Sequence, residues 1–358
     1  MSNYIEYKDK VAFHPGYYIK EIIDESGLTQ EDFAKRLDTT PKNLSLLIRG
    51  EQSLSIDIAM KLSRLLGTSV KYWLNLQNSY DCLIAEFKSD KELEEERQVF
   101  KKLDYKYFRI NYDFPALPRQ VDEQICRLRA YLNVSTLSVL KKRDMTASFR
   151  GEKDDINEAS TIKANTMVQI AMNEALKVEA PRFNKKKFEA SIEYALTLTR
   201  NYDDLYSKIS KAFLEAGVIF IILSNISGSR TTGATKKIGN NIMLMVNDQK
   251  LCTDTFWFAL FNEIGHIIYG DFGISFDNNS GKVEESANKF AENKLIPDEL
   301  YYSFVKEQNF NVASIKKFAN EINRDPGIVL GRLEIDEIVD YSDVRMKSLR
   351  HKYNFAGI

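Results

Sequence analysis

Apolar residues at helical spacing predict two short helices close together near the N-terminus. The first stripe is Phe33, Ala34 and Leu37, and the second is Leu44, Leu47 and Ile48. Spacings of three and four residues place each stripe on one face of a helix. Thr29 and Thr40 precede the stripes as helix N-caps, and Pro41 suits the first position of the second helix. The pattern therefore predicts a pair of helices joined by a tight turn.

The helical pattern continues, with one break, for more than a hundred residues. Residues 80–109 are strongly charged and predict a long exposed helix. Within that run, the basic and aromatic residues 101–109 are interpreted as an exposed helix end rather than as a nucleic-acid strip. Two prolines in residues 113–120 predict a linker, and apolar residues then recur at amphipathic-helix spacing from position 121. Helical patterns extend to about residue 215.

The pattern changes at residue 217. The run 217–226 is rich in β-branched residues and predicts a buried strand, and turn residues around 242–246 predict a hairpin. Two more helices are predicted, one across 258–271 and one across 283–297. The fold class is therefore α+β. We expect an all-α head over residues 1–82, a helical connector over 83–150 and an α+β C-terminal domain over 151–358.

Composition limits the classes of function. The 358 residues carry a net charge of −1, so no general basic field indicates nucleic acid. Three widely separated cysteines argue against a disulfide framework or a cysteine zinc cluster. The chain shows neither a signal-peptide pattern nor an apolar run long enough for a membrane span. We expect a cytoplasmic protein without a membrane partner. Only three histidines are present, which is few for a zinc site.

The outer face of the second predicted helix carries side chains suited to DNA. Lysine and arginine bind guanine or phosphate, and asparagine binds adenine in the major groove. The candidate DNA-contacting residues on this face are Lys42, Asn43, Ser45 and Arg49, with Leu46 beside them. Two further candidates are Thr40, which caps the same helix, and Gln30 at the start of the first helix, where phosphate commonly binds. Residues 1–80 hold ten basic and ten acidic side chains, so charge alone does not favour DNA. A helical bundle with a polar outer face would show the same pattern.

Three motifs of the head resemble the HigA-type antitoxin branch of the Cro/C1 (XRE) helix-turn-helix family. They are His14-Pro15-Gly16, the run "LSLLIRGEQSLSIDIAMKLSRLLGTS", and "YWLNLQNSYD" at residues 72–81. The resemblance covers roughly residues 13–82. It implies an operator-binding dimer that regulates its own operon, often beside a toxin gene. It also implies that His14 has a structural role.

The sequence Asn262-Glu263-Ile264-Gly265-His266 differs by one residue from the zinc-protease signature H-E-x-x-H. In that signature two histidines bind Zn²⁺ and the glutamate takes a proton from zinc-bound water. Here Glu263 is present as the base and His266 as the second ligand, but Asn262 replaces the first. Glu284 is the candidate third ligand, with Glu285 as the alternative. Alone, the motif favours an amphipathic core helix over a metal site.

The surroundings of this motif resemble the ImmA/IrrE metallopeptidase-like domain. The order "DTFWFALFNEIGHIIYGD", "EESANKFAENKLIP" and "DPGIVLGRLE" is similar in spacing, and residues 121–150 resemble the connector that joins this domain to a Cro/C1 head. The family pattern has histidine at both Asn262 and Asp325. The resemblance therefore implies a degenerate zincin, and Asp325 is a possible replacement oxygen ligand. No cofactor is expected; zinc is the alternative, although its site is incomplete.

Three hypotheses follow. The first is a DNA-binding, antitoxin-type autorepressor and homodimer, whose degenerate peptidase domain senses a ligand or binds a partner. Its candidate partners are operator DNA and a cognate toxin or another protein. The second is an active metallo-endopeptidase that cleaves a repressor or antitoxin. The third is a phage or mobile-element regulator whose C-terminal half only dimerises.

Overall fold

The computed structural model describes residues 4–143, 145, 147–150, 156–248, 252–277 and 281–353. The chain forms two units, Met1–Glu95 and Glu96–Ile358. This division differs from the three predicted segments, because the predicted connector is divided between the units. Residues 83–95 belong to the first unit and 96–150 to the second. Residues 151–155, where the predicted C-terminal domain begins, lie outside the described residues.

The first unit combines a β-hairpin with helices. Its elements are β1 (Tyr4–Tyr7), β2 (Lys10–Phe13), α1 (Pro15–Ser26), α2 (Gln30–Arg36), α3 (Pro41–Ile48), α4 (Ile56–Leu66) and the start of α5 (Val70–Phe100). The expectation of an all-α head was thus wrong at its N-terminus. Strands β1 and β2 pair antiparallel with Tyr4 opposite Phe13, and Lys8 adopts a left-handed φ of 58° in the turn. The strands are too short for their alternation to be distinguished from a loop by pattern alone.

The core of the first unit forms from the predicted apolar stripes. Phe33, Leu37, Leu44 and Leu47 are buried with residues of α1, α4 and α5, including Trp73. Helix periodicity predicted these positions because i, i+3 and i+4 side chains share a face.

The second unit begins with helices that follow the end of α5. They are α6 (Tyr105–Asn111), α7 (Val121–Leu132), a 3₁₀ helix (Leu137–Lys141), α8 (Glu158–Ala175), α9 (Lys185–Thr197) and α10 (Leu205–Glu215). Residues 101–109 are not an exposed helix end. Tyr105, Tyr107 and Phe108 of α6 are buried, because their rings pack against other aromatic rings. Tyr105 contacts Phe114, and Phe108 contacts both Tyr107 and Tyr131. The predicted linker at 113–120 lies between α6 and α7.

A four-stranded sheet with helices on its faces forms the rest of the second unit. The strands are β3 (Val218–Leu223), β4 (Thr231–Ile238), β5 (Asn241–Asn247) and β6 (Ile274–Phe276), in the order β3-β5-β4-β6. The helices are α11 (Thr253–Tyr269), α12 (Lys282–Leu295), α13 (Asp298–Lys306), α14 (Val312–Glu321) and α15 (Pro326–Ile335), followed by a 3₁₀ helix (Val344–Leu349). The predicted strand and hairpin are confirmed. Strand β5 pairs parallel with β3 and antiparallel with β4.

Both faces of the sheet are covered. Val218, Phe220 and Ile222 of β3 share the main core with α10 and α11, and α8 packs on β3, β4 and β5. All six residues of β3 are buried, as a strand packed on both faces requires. The protein is therefore a mixture of helix and sheet. None of the helices in the described part of the chain combines the length and the apolar character needed to cross a membrane.

Candidate functional site

Side-chain caps define the start of α2 and of α3. Thr29 Oγ1 accepts a hydrogen bond from the backbone N–H of Asp32 at 3.1 Å, and Thr40 Oγ1 accepts one from Asn43 at 3.1 Å. Each cap satisfies an N–H group that the helix itself leaves unpaired. Both predicted caps are confirmed, and they fix the turn between the two helices at residues 37–40.

The motif His14-Pro15-Gly16 brings α1 against α3. His14 Nδ1 accepts a hydrogen bond from Gly16 N at 3.0 Å, so the histidine caps α1. Burial lowers the pKa of His14, which favours the neutral ring that this acceptor role needs. A Cβ atom on Gly16 would lie 1.9 Å from the carbonyl oxygen of Leu47. Glycine is thus required for the close contact that positions α3, and the structural role expected of His14 is confirmed.

The candidate DNA-contacting residues lie on or beside α2 and α3. Lys42 and Arg49 are exposed, Asn43 and Ser45 are half-buried on α3, Thr40 is its exposed cap, and Gln30 is half-buried at the start of α2. Arg49 stands at the C-cap of α3 and not inside the helix. The face between Lys42 and Arg49 therefore presents two cations and two polar groups together.

Several of these side chains are held by bonds within the chain. Arg49 forms an ion pair with Glu51 at 3.0 Å, and its Nη1 donates to Ser45 Oγ at 2.6 Å. Asn43 Nδ2 donates to Thr39 Oγ1 at 2.9 Å. An exposed ion pair of this kind contributes only about 0–1 kcal/mol. Arg49 can therefore exchange Glu51 for a phosphate or a base edge at little cost.

A second cluster lies where α11 crosses α12. A Cβ on Gly265 would be 3.2 Å from Ala287 Cα, so the two helices approach closely there. The approach places Glu284 beside the first and last residues of the motif. Asn262 Nδ2 donates to Glu284 Oε1 at 3.0 Å, and His266 Nε2 lies 3.4 Å from Glu284 Oε2.

An arginine from a distant part of the chain fills the space beside the motif. Arg150 Nη1 donates to Glu263 Oε2 at 3.0 Å and to Ser275 Oγ at 2.8 Å. Its Nε donates to Asp271 Oδ2 at 2.9 Å, and its Nη2 donates to Thr235 Oγ1. The Arg150 side chain is 5% exposed and that of Glu263 is 1% exposed, so this is a buried ion pair. The carboxylate that the zincin pattern uses as a base is thereby held by a guanidinium.

Backbone hydrogen bonds to strand β6 position Arg150 beside Glu263. Its N–H donates to the carbonyl of Ile274 in β6 at 3.0 Å, and Ile274 N donates to Ser148 O at 2.8 Å. Residues 148–150 thus add to the outer edge of β6. On the other side, Gly233 of β4 leaves room for Glu263, because a Cβ there would lie 2.5 Å from Glu263 Oε1.

The electrostatics of the cluster are those of an ion network. Burial acts to lower the pKa of His266, but Asp271 and Glu284 outweigh it and raise the pKa above its usual value. Contact with His266 lowers the pKa of Asp271. Burial acts to raise the pKa of Glu284, yet the imidazolium lowers it. The ring nitrogens reach Asp271 at 2.9 Å and Glu284 at 3.4 Å as ion pairs without the alignment of hydrogen bonds.

These residues do not fit a catalytic zinc ion. Such a site takes three protein ligands, and the cluster offers His266 Nε2 and Glu284 Oε2, while Asn262 directs amide N–H groups at Glu284 and Asn288. Across the described ranges, no group of three or more histidine, cysteine or carboxylate residues is arranged to hold a metal.

The alternative ligands are placed elsewhere. Asp325 is the N-cap of α15, where its Oδ1 accepts from Gly327 N at 2.7 Å and its Oδ2 accepts from the Tyr202 hydroxyl. The idea that it replaces the missing ligand was therefore wrong, because one of its oxygens caps α15 and the other is bonded to Tyr202. Glu285 is exposed on α12, whereas Glu284 is buried.

Comparison with known proteins identifies a family for a segment of the first unit. A helix-turn-helix family matches residues 19–73. The uncharacterized HTH-type transcriptional regulator YddM of Escherichia coli (strain K12) is 38% identical over 79 residues, which are 22% of this chain and 84% of the relative. The chain belongs to the helix-turn-helix family.

Two further similarities lie within a similar length of chain. Virulence-associated protein I of Dichelobacter nodosus is 33% identical over 76 residues, covering 21% of this chain and 70% of the relative. A solved addiction module antidote protein of the HigA family from Coxiella burnetii is 31% identical, covers 23% of this helix-turn-helix protein and 91% of its own length, and gives a TM-score of 0.22.

Sequence patterns missed two members of the buried cluster of this helix-turn-helix protein. Arg150 and Asp271 were not candidates, although Glu263, His266 and Glu284 were. One signal was available in the chemistry: a glutamate buried without a metal requires a cation close by. Which cation provides it depends on the pairing of residues 148–150 with β6, and no local pattern contains that information.

Proposed function

We propose that the chain is a sequence-specific transcriptional regulator of antitoxin type that represses its own operon. Membership of the helix-turn-helix family over residues 19–73 is the observation that carries this proposal. The capped α2–α3 pair and the polar face from Lys42 to Arg49 support it, since that face can reach major-groove base edges and phosphates.

The second unit is proposed to be a metallopeptidase-like domain that has lost zinc chemistry. The ImmA/IrrE resemblance of α11, α12 and α15 supports its origin, and the Arg150–Glu263 ion pair supports the loss. A glutamate held by a buried guanidinium is poorly placed to take a proton from water. The domain then senses a ligand or binds a partner protein, for which a cognate toxin is one candidate.

The regulator is proposed to act as a homodimer, because paired half-sites need two recognition helices. Sedimentation equilibrium checks this proposal. A mass of twice 41.3 kDa is expected, and a monomer at working concentration would contradict it.

DNA binding is tested with the DNA upstream of the regulator's own gene. Asn43→Ala combined with Arg49→Ala removes one base-reading amide and one cation from α3. Each such contact contributes about 1–3 kcal/mol, so the pair should weaken specific binding by roughly 30-fold or more. Loss of one phosphate contact by Arg49 would also reduce the salt dependence by about one unit of slope. Electrophoretic mobility shift at several salt concentrations measures both quantities.

A matched variant controls for charge and stability. Lys20→Ala combined with Asn78→Ala removes an exposed cation and an exposed amide from α1 and α5, outside α2 and α3. This control should bind like the original chain. If the Asn43/Arg49 variant is folded by circular dichroism and binds with unchanged affinity, α3 is not the recognition helix.

A further inference from the structure

A cavity of about 470 Å³ lies between the sheet and helices α11, α12 and α15. Phe256, Phe258 and Ile328 contribute to its apolar wall, and Tyr341 and Ile335, which are largely exposed, also line it. The volume is in the range of small-molecule sites, roughly 300–1,000 Å³. The cavity is thus large enough for a small organic ligand with an apolar body.

The charged groups of this cavity are mainly negative. Within the described residues, one arginine, Arg332, lines it together with five carboxylates: Asp254, Asp277, Glu284, Glu292 and Glu334. Arg332 is shared, because it lies 3.0 Å from Glu292 and 3.1 Å from Asp336. Burial raises the pKa of Glu292 despite that arginine. Arg332 is therefore divided between Glu292, which lines the cavity, and Asp336, which does not.

A second arginine is likewise shared between two carboxylates, Asp254 and Glu334. Arg350 Nε lies 3.0 Å from Asp254 Oδ2, and its Nη2 pairs with Glu334. One guanidinium is thus shared between two carboxylates. Burial raises the pKa of Glu334. An additional positive charge near Asp254 would be stabilised by this excess.

Asp254 Oδ1 on the wall lacks a hydrogen-bond partner among the described residues, and the Asp254 side chain is only 10% exposed. Glu284 Oε2 also lacks an aligned donor, but the His266 imidazolium at 3.4 Å compensates its charge. A buried carboxylate oxygen without a donor costs free energy unless a ligand supplies one. An ammonium group supplies up to three N–H donors and a positive charge.

We propose that this cavity binds a small organic cation, a primary ammonium carried on an apolar, aromatic body. The ammonium lies at Asp254, and the body lies against Phe256 and Phe258. The inference rests on the proposed role of the second unit as a sensing domain and names the class of ligand that it senses. An anionic ligand is disfavoured, because it would enter beside uncompensated carboxylates.

The test uses the full chain and three probes of matched shape. They are 4-phenylbutylammonium, the neutral 4-phenylbutanol and the anionic 4-phenylbutanoate, each titrated by isothermal calorimetry at pH 7. The ammonium should bind at least tenfold more tightly than the alcohol, and the carboxylate should bind least. Equal binding of ammonium and alcohol, or tighter binding of the carboxylate, overturns the proposal.

Substitutions of single carboxylates test whether Asp254 binds the ammonium group. Asp254→Asn keeps the side-chain shape and should reduce the preference for ammonium over alcohol by roughly tenfold. Asp203→Asn, an exposed residue outside the cavity, should leave it unchanged. If Asp254→Asn lowers the melting temperature, Asp277→Asn is the second variant and should reduce the preference in the same direction. An unchanged preference in the folded variants overturns the proposal.

Parallel measurements separate this inference from the proposed function. DNA binding by the unliganded chain is measured on the same preparation. Ammonium binding without specific DNA binding would refute the regulator and leave the cavity site intact. DNA binding without ammonium selectivity would refute the cavity site alone.

Discussion

Replacing Arg150 by methionine should strongly destabilise the second unit. Methionine keeps an unbranched apolar side chain but removes the guanidinium, which leaves Glu263 as a carboxylate that is 1% exposed and without its cation. Removing one partner of a buried ion pair costs about 3–5 kcal/mol. Asp271 adds little, because its side chain is 34% exposed and water can replace the lost contact. The expected loss is therefore about 3–5 kcal/mol, a large share of the stability of a typical domain.

Urea unfolding followed by tryptophan fluorescence measures this loss. The chain has two tryptophans: Trp73 is buried in the first unit and Trp257 in the second. In a Trp73→Phe background, Trp257 reports on the second unit alone, which matters because two units need not unfold in one step. The midpoint should fall while the slope with urea stays unchanged.

A double variant distinguishes charge from packing. Adding Glu263→Gln to Arg150→Met removes the uncompensated charge, so it should recover more than half of the lost free energy. The reasoning is refuted if Arg150→Met costs less than about 1 kcal/mol, or if the double variant is no more stable than the single one.

Two further predictions concern the same cluster. Asn262→His restores an i, i+4 histidine pair opposite Glu284, so this variant should bind about one zinc ion per chain and the original chain should bind less. Elemental mass spectrometry on both proteins, purified without chelator or nickel, measures the zinc content. Equal zinc content in the two proteins would contradict the argument that Asn262 removes a ligand. Gly233→Ala places a Cβ 2.5 Å from Glu263 Oε1, so it should lower the stability of the second unit by about 1–3 kcal/mol. The same fluorescence assay measures this loss. An unchanged urea midpoint would show that Glu263 can move aside.

The buried cluster around Glu263 could be predicted only in part from the sequence. The motif identified Asn262, Glu263 and His266, and helix spacing placed Glu284 within reach of them. The family resemblance also suggested Asp325 as a possible replacement ligand, which the structure contradicts because that carboxylate caps α15. Sequence spacing gives the face of a helix on which a residue lies, but not which of several carboxylates from other helices approaches that face.

The head was predictable because its determinants are local. Thr29 and Thr40 bond to backbone groups three residues away, and the apolar stripes of α2 and α3 follow from helix geometry. The β1–β2 hairpin escaped prediction because four-residue strands carry too few alternating positions. The sequence showed Gly16 only as part of a motif. The structure gives the reason for the glycine, which is the close approach of α1 to Leu47 of α3.

The sequence by itself indicated the α2–α3 pair of the helix-turn-helix, the strand β3 and the β4–β5 hairpin. Only the tertiary structure decided what Glu263 contacts. Arg150 lies 113 residues away along the chain and reaches that carboxylate through the pairing of residues 148–150 with β6. Local structure depends on bonds between near neighbours, which any stretch of sequence displays. Compensation of a buried charge depends on which distant residue the topology brings within about 3 Å, and that is a property of the folded chain.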